Sequence, residues 1–409
     1  MPDGRRFFGW SVTWAAFVLA VLAWGIGFYG PSVFLQTLHT SRGWAISEIS
    51  AAITLHFLIS ALLIAYLPEL HRKLGIARTT AAGAVLSAIA LFGWATAQEP
   101  WQLFVLAIPS AAGWATTSGA ALNAIVAPWF DRERPKAMSL AFNGASIGGV
   151  VFIPLWVFLI DRLGFPTAAL AVGALAVIVV GTISMRYFAP SPAALGLAPD
   201  GDQASRPAIK PTPRLSRAQI VRMPQFFTLS AAFSIGLFAQ IGLLSHLIVR
   251  LAPDVGLSGA GLLGSLATVC AVIGRTLAGW LIGDHDRRIA AAVNFAVQMI
   301  GVLLLIFGDG RIMLTLGCVL FGLGIGNLVS LPPLIVQKEF NREDVVTVVS
   351  LIVAINQAVF AFAPAIVGAI RDASAGYALP FAIVAGAQFL AAILVLLGRG
   401  TTKTSAKAS

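Results

Sequence analysis

The sequence predicts an all-α membrane protein of twelve transmembrane helices, arranged as two pseudo-symmetric six-helix bundles with both termini cytoplasmic. Three observations predict it. The 409 residues are 58% hydrophobic and only 11% charged, with a mean hydropathy of +0.88, more apolar surface than a water-soluble core can hide. Apolar stretches that match a ~30 Å hydrocarbon layer, about 20 helical residues each, recur from Phe8 to Arg399. Segments of the first half also return in the second half at a near-constant offset.

The spans are read at 9–38, 46–67, 79–97, 101–128, 136–160 and 166–188 in the first half. In the second they are read at 224–249, 258–282, 289–307, 312–336, 345–370 and 380–398. The first span follows Arg5 and Arg6, is too long for a signal-peptide core and lacks a cleavage site, so it is expected to be a retained helix. Between spans six and seven, Ala189 to Met223 holds Pro190, Pro192, Pro199, Pro207, Pro211 and Pro213 together with Arg206, Lys210, Arg214, Arg217 and Arg222. This composition predicts a solvated cytoplasmic linker, able to touch anionic lipid, and not a catalytic domain. The expected division is therefore an N-terminal bundle at 1–188, a linker at 189–223 and a C-terminal bundle at 224–409.

The net charge of +10 raises the question of nucleic acid, and the placement of the charges answers it. With the N-terminus cytoplasmic, only Arg42, Arg162, Arg250, Arg311 and Arg371 of the 27 Lys and Arg lie towards the far side. The basic excess is the positive-inside bias of a multi-pass inner-membrane protein, and no nucleic-acid partner is expected. Cys270 and Cys318 fall inside spans without disulfide or metal-ligand spacing, and read as small apolar packing residues. No metal or cofactor is expected.

The repeat is specific. Phe130-Asp131-Arg132-Glu133 after span four returns as Phe340-Asn341-Arg342-Glu343 after span ten, 210 positions on, and Pro154 falls on Pro364 at the same offset. Tyr66-Leu67 with His71 is echoed by Trp280-Leu281 with His285. Parallel six-helix repeats are a transporter layout, with the solute site near the membrane midplane.

These residues resemble the major facilitator superfamily, and within it the bacterial monocarboxylate porter and oxalate/formate antiporter branch. Gly9-Trp10 opens span one, and Gly279-Trp280-Leu281-Ile282-Gly283-Asp284 with Arg287 and Arg288 is similar to the superfamily's loop motif. Its counterpart after span two, His71-Arg72-Lys73-Leu74-Gly75 with Arg78, keeps the glycine and the basic residues but has Arg72 where an acid belongs. Trp129 to Arg134, leading through Ala137 to Gly144 and Gly148, is similar to the branch's helix four to five signature. Leu195 to Gly201 and Met223-Pro224-Gln225-Phe226 also look like bacterial members.

The resemblance implies transport of a small organic anion by alternating access, secondary active as symport or antiport, or facilitative. Arg275, nine residues before Asp284, stands about 13 Å along span eight at 1.5 Å per residue, and matches the arginine that holds the substrate carboxylate in this family. A guanidinium offers a carboxylate a bidentate, permanently charged fork. The plainer reading is an arginine whose stem snorkels to the interface. The family's helix-eight acid is Ala271 here, its helix-one lysine falls near Phe28 and Tyr29, and the second cation of the oxalate/formate antiporter matches Gln357. One fixed positive charge suits a monoanion, since a second carboxylate would enter uncompensated.

His56 and His246 are the remaining intramembrane groups that titrate near neutral pH, and are candidates to couple a proton. Either serves equally well as a hydrogen bond between helices. Gly25, Gly27, Gly30 and Pro31 should break span one around Tyr29, and Gly236 and Gly242 flank Gln240 in span seven. Asn123, Asn143, Asn327, Asn356 and Gln357 add neutral hydrogen-bonding groups, of which Tyr29, Gln240, Asn123, Asn327, Asn356 and Gln357 join Arg275 as candidate substrate contacts. Gly113 to Gly119 and Gly322, Gly324 and Gly326 lie in apolar spans with no preceding strand, so they read as close helix packing and not as a phosphate loop.

A membrane-embedded enzyme or a sensor is the reading from another class. The sequence holds no HExxH, no CxxC and no intramembrane acid pair, hence no catalytic residue is named, and the absence of GxxxxGK[ST] speaks against ATP-driven transport. The competing transporter reading is multidrug or metabolite efflux. The expected partners are the bilayer, the organic anion and a coupling proton, with the chain working as a monomer.

Overall fold

A computed structural model describes residues 7–201, 215–282, 285–308, 310–341 and 344–398. The described residues are helical throughout, with no strand among them. The first half comprises α1 (Phe8–Gly27), α2 (Gly30–Arg42), α3 (Ile46–Leu74), α4 (Ile76–Thr96), α5 (Pro100–Thr117), α6 (Gly119–Val126), α7 (Arg134–Leu163) and α8 (Phe165–Ile183). After the short α9 (Arg217–Val221) come α10 (Pro224–Ile282), α11 (Arg287–Phe307), α12 (Gly310–Ile325), α13 (Asn327–Glu339), α14 (Val345–Phe360), α15 (Ala363–Ser374) and α16 (Ala378–Leu397).

Eleven described segments are long and apolar enough to cross a membrane, and one of them, Pro224–Ala278, runs for 55 residues. At about 1.5 Å per residue that length exceeds two crossings of a ~30 Å core. It bends at Gly256, whose φ of 74° places it in the left-handed region that a side chain disfavours. The count of twelve spans follows. Large apolar side chains point outward along them, Phe307 at 77% and Ile312 at 76% exposure among them, a surface that lipid and not water would cover.

Several spans are pairs of helices with a break between. The first span breaks at Phe28-Tyr29 between α1 and α2, as its glycines predict. The fourth breaks at Ser118 between α5 and α6, the tenth at Gly326 between α12 and α13, and the eleventh at Ala361-Phe362 between α14 and α15. In contrast, α10 runs without interruption past Gln240. Gly236 and Gly242 make room there for neighbours: a Cβ on Gly236 would stand 2.2 Å from the Phe295 ring, and one on Gly242 would stand 2.9 Å from Val367.

The chain divides into two compact units, Met1–Ser41 with Leu55–Ala208, and Arg42–Thr54 with Ile209–Ser409. In the first unit, α1 packs along α7 and α4 packs on α5 and α8. The α1–α7 crossing is close because Gly144 and Gly148 carry no Cβ; one would meet the carbonyls of Phe17 at 2.2 Å and Val21 at 2.6 Å. Trp156 locks the same crossing by donating from Nε1 to the Gly25 carbonyl, 3.0 Å away. The linker's Asp200 belongs to this unit: its carboxylate accepts the backbone N–H groups of Asp131, Arg132 and Glu133 at 3.2, 2.7 and 3.1 Å. It thus caps the turn that leads into α7.

In the second unit, α11 packs on α12 and α16, and α10 packs on α12, α14 and α16. The end of the linker docks here through the N–H of Leu215 on Asp344 Oδ1, 3.0 Å, and through Ile220 of α9, fully buried in the apolar core with Phe226, Phe233 and Phe295. The beginning of α3 is counted with this unit for equally concrete reasons. Ser47 N–H donates to Asp372 at 2.8 Å, and Ala365 N–H donates to Thr54 Oγ1 at 3.0 Å.

Candidate functional site

In the second unit, Arg275 extends from α10 onto the break between α12 and α13, where its Nε donates to the Gly326 carbonyl at 3.3 Å. The guanidinium is half-buried. Glycine at 326 is required by this contact, because a Cβ would lie 2.7 Å from the Ala271 carbonyl and 2.9 Å from Arg275 Nε. Gly322 and Gly324 serve close packing as well, against Ala267 and Gln298.

The amides expected around Arg275 form ladders between helices. Asn327 donates to Asn294 Oδ1 at 2.9 Å, and Asn294 donates to the Gly324 carbonyl at 3.3 Å, while Asn327 Oδ1 is buried without a hydrogen-bond partner. Gln298, fully buried, donates to Gln240 Oε1 at 3.2 Å and accepts from Gln388 at 2.8 Å. Asn356 accepts from Ser234 Oγ at 2.8 Å, and Gln357 is half-buried at the end of α14. Asn294, Gln298 and Gln388 were not singled out by sequence; their periodic apolar neighbours gave each the look of an isolated amide.

His246 is completely buried and fully engaged. Its Nε2 lies 3.0 Å from the Pro364 carbonyl and 3.4 Å from Ser50 Oγ, and its Nδ1 lies 3.0 Å from the Tyr377 hydroxyl. The carbonyl can only accept, so Nε2 carries the proton and Nδ1 accepts from tyrosine. Burial pushes the Tyr377 hydroxyl pKa upward, keeping it a donor.

In the first unit the polar groups are fewer. Tyr29 is buried at the α1–α2 break, with its backbone N–H and that of Phe28 both donating to the Trp24 carbonyl. Asn123, exposed on α6, accepts from Arg134 at 3.2 Å, and so lies apart from Tyr29's aromatic surroundings. His56 is 3% exposed, and neither of its ring nitrogens has a hydrogen-bond partner. Around it, the rings of Phe28, Phe57 and Trp114 stand 6.1 to 6.4 Å from one another. A cavity of about 270 Å³ near the Asp200 cap is lined by His71, Trp129, Phe188 and Pro190 among others, and burial lowers the His71 pKa.

The two loop motifs differ sharply. After span two, Arg72 pairs with Glu69 at 3.3 Å in the open, and Lys73 and Arg78 are exposed, with Gly75 starting α4 at φ 81°. After span eight, Arg288 is 2% exposed and grips Glu339 with two bonds of 2.6 and 2.7 Å. It also donates to the carbonyls of Gln225 and Val395 and to Thr228 Oγ1, while Arg287 donates to the Leu334 carbonyl. Gly279 is within α10, and Asp284 lies outside the described residues.

Comparison with known proteins decides the family. The family model described as Major Facilitator Superfamily matches residues 13–364 and 247–409. The chain belongs to the major facilitator superfamily. It is 24% identical to monocarboxylate transporter 13 of Rattus norvegicus over 401 residues, covering 97% of this chain and 89% of that protein. It is 28% identical to the MFS-type transporter hasB of Aspergillus fumigatus over 224 residues, 53% of this chain and 49% of that one. Among solved structures, the nucleoside transporter NupG superposes with a TM-score of 0.73 at 13% identity, covering 95% of this chain and 98% of that one. A bacterial homolog of the human lysosomal transporter Spinster gives 0.69 at 14% identity, covering 99% and 98%. This superfamily protein is therefore a multi-pass membrane transporter of small molecules, not an enzyme.

Proposed function

We propose that the protein carries a small organic monoanion, monocarboxylate-like, across the inner membrane by alternating access, with Arg275 holding the carboxylate. The observation that carries this reading is Arg275 itself: a half-buried guanidinium on a membrane-spanning helix, laid on a neutral carbonyl at a helix break. An ionisable group at such depth is costly, and functions by default as part of a solute or ion pathway. The similarity to monocarboxylate transporters over nearly the whole chain supports the same substrate class. Oxalate fits less well, because Gln357 stands where a second cation would be needed.

Tyr29, Asn327, Asn356 and Gln357 are proposed to shape the path of the solute, and His56 is the better candidate for a coupling proton. His246 already uses both ring nitrogens. A second reading, efflux of uncharged metabolites or drugs, draws on the ring cluster beside His56, which favours apolar bodies. Radiotracer uptake into proteoliposomes separates the two. Pyruvate, lactate and acetate uptake should fall at least tenfold in Arg275→Ala and be partly retained in Arg275→Lys. Undiminished anion uptake by Arg275→Ala would rule the assignment out.

A further inference from the structure

In the first unit, the end of α3, the start of α4 and the first residues of the linker enclose the cavity of about 270 Å³ noted above. Trp129, Phe188 and Pro192 line it as buried residues, while Ala189 and Ser191 line it as exposed ones, so it opens to the surface on the linker side. Its walls are fixed. Gly75 turns the chain between α3 and α4 at φ 81°, and a Cβ there would meet nothing within 4 Å. The linker wall is held at both ends: Ser184–Phe188 packs on α4, and Asp200 grips the backbone of Asp131, Arg132 and Glu133, just beyond Trp129. Between these ends, the N–H groups of Leu195 and Leu197 donate to the Pro192 carbonyl at 3.1 and 2.9 Å.

One polar atom of this wall has no use within the protein. His71 lines the cavity, and its Nε2 is covered without a hydrogen-bond partner. A covered polar atom left unpaired is a cost, and native proteins seldom carry one idly. Burial lowers the His71 pKa, so the ring is neutral near pH 7 and Nε2 offers a single hydrogen bond, donated or accepted according to tautomer. None of the lining residues is Lys, Arg, Asp or Glu, and only His71, Trp129 and Ser191 among them carry a polar side-chain atom. Ser191 Oγ already accepts the N–H of Ala194 at 3.2 Å. A buried water needs about 2–4 polar partners, so these side chains are a poor cage for water alone.

From this geometry we infer that the cavity is a binding site for a small uncharged molecule with one apolar ring and one hydrogen-bonding group, such as an aryl alcohol. The polar group meets His71 Nε2, and the ring lies against Trp129, Phe188 and Pro192. The size is right for this class: an apolar cavity of roughly 150 Å³ already holds benzene, and the larger space here admits a substituent. A charged ligand would find no compensating charge on the lining. The site is separate from the anion reading, because all of its residues lie in the first unit and Arg275 lies in the second.

The test is thermal stabilisation of the purified full-length protein in detergent by benzyl alcohol, by toluene and by benzylamine, a cation at neutral pH. The variants are His71→Leu, His71→Gln, Ile76→Trp and Arg275→Ala. Ile76 is a half-buried lining residue, and tryptophan there fills the space, which sets the baseline for rings that merely dissolve in the micelle. Benzyl alcohol should stabilise the parent at concentrations at least tenfold lower than toluene or benzylamine. His71→Leu should lose that preference over toluene, His71→Gln should keep part of it, Ile76→Trp should show none, and Arg275→Ala should behave as the parent. An undiminished preference in His71→Leu would overturn the inference, and so would equal stabilisation of the parent and Ile76→Trp. Loss of the preference in Arg275→Ala would place the ligand in the second unit and overturn it as well, as would a parent that benzyl alcohol does not stabilise. If Ile76→Trp fails to fold, His71→Leu against His71→Gln still decides.

Discussion

In the first unit the interior around His56 is walled by aromatic rings, and both imidazole nitrogens stay unpaired. In the second unit His246, Gln240 and Arg288 each reach a partner on another element, and His246 and Arg288 bind several at once. The two histidines have the same chemistry and similar depth of burial, so the difference lies in the faces their helices turn to the neighbours. A satisfied polar group fixes the packing of its helices; an unsatisfied one is a cost to the fold. The second unit therefore has a cross-linked frame, whereas the first has a ring-lined interior around His56.

The largest expected effect breaks that frame. Arg288→Ala leaves the Glu339 carboxylate buried without its bidentate partner, which costs about 3–5 kcal/mol. The melting temperature in detergent should collapse, and the Arg288→Ala, Glu339→Ala double variant should lose less than the sum of the single changes. If Arg288→Ala melts like the parent, the buried pair does not hold the unit together.

Next comes the break under the cation. Gly326→Ala forces a Cβ within 2.7 Å of a backbone carbonyl and 2.9 Å of Arg275, an overpacking of about 1–3 kcal/mol. Anion uptake should drop with it. Gly181→Ala, where nothing lies within 4 Å, is the control and should transport normally. Tyr377→Phe removes the donor to His246 Nδ1, for a loss of about 1 kcal/mol read as a lower melting temperature. That drop would sharpen the contrast with His56→Leu, which should move in the opposite direction.

The smallest effect is at the linker. Asp200 is partly exposed; burial alone would raise its pKa, but three backbone N–H groups and Arg132 hold it below the usual carboxylate range. A depressed pKa means that the cap is fully present above the ordinary carboxylate range, and is lost only as pH falls through the lowered value. Asp200→Asn should therefore show, at neutral pH, the faster linker proteolysis that the parent shows only in acid. Equal cleavage rates at neutral pH would argue that the cap does not anchor the linker.

Much of this architecture is legible in the sequence, because hydropathy and charge placement act along the chain. The twelve spans and the break at Tyr29 follow from local apolar runs and glycines. The Arg288–Glu339 pair joins residues 51 apart, and the Gln240–Gln298–Gln388 ladder crosses three helices, so neither leaves a local pattern. His56 and His246 look alike in sequence, and only packing distinguishes them. The break at Ser118 has only a subtle signal, the small and polar run from Thr116 to Gly119, which equally suits close helix packing.

The central claim is that Arg275 recognises a carboxylate. Its most direct test is calorimetric titration of the parent and of Arg275→Ala with pyruvate and with its uncharged amide, pyruvamide. The account predicts that the parent binds the anion at least tenfold more tightly than the amide, and that Arg275→Ala binds the two alike. An Arg275→Ala protein that keeps the full preference for the anion would contradict it.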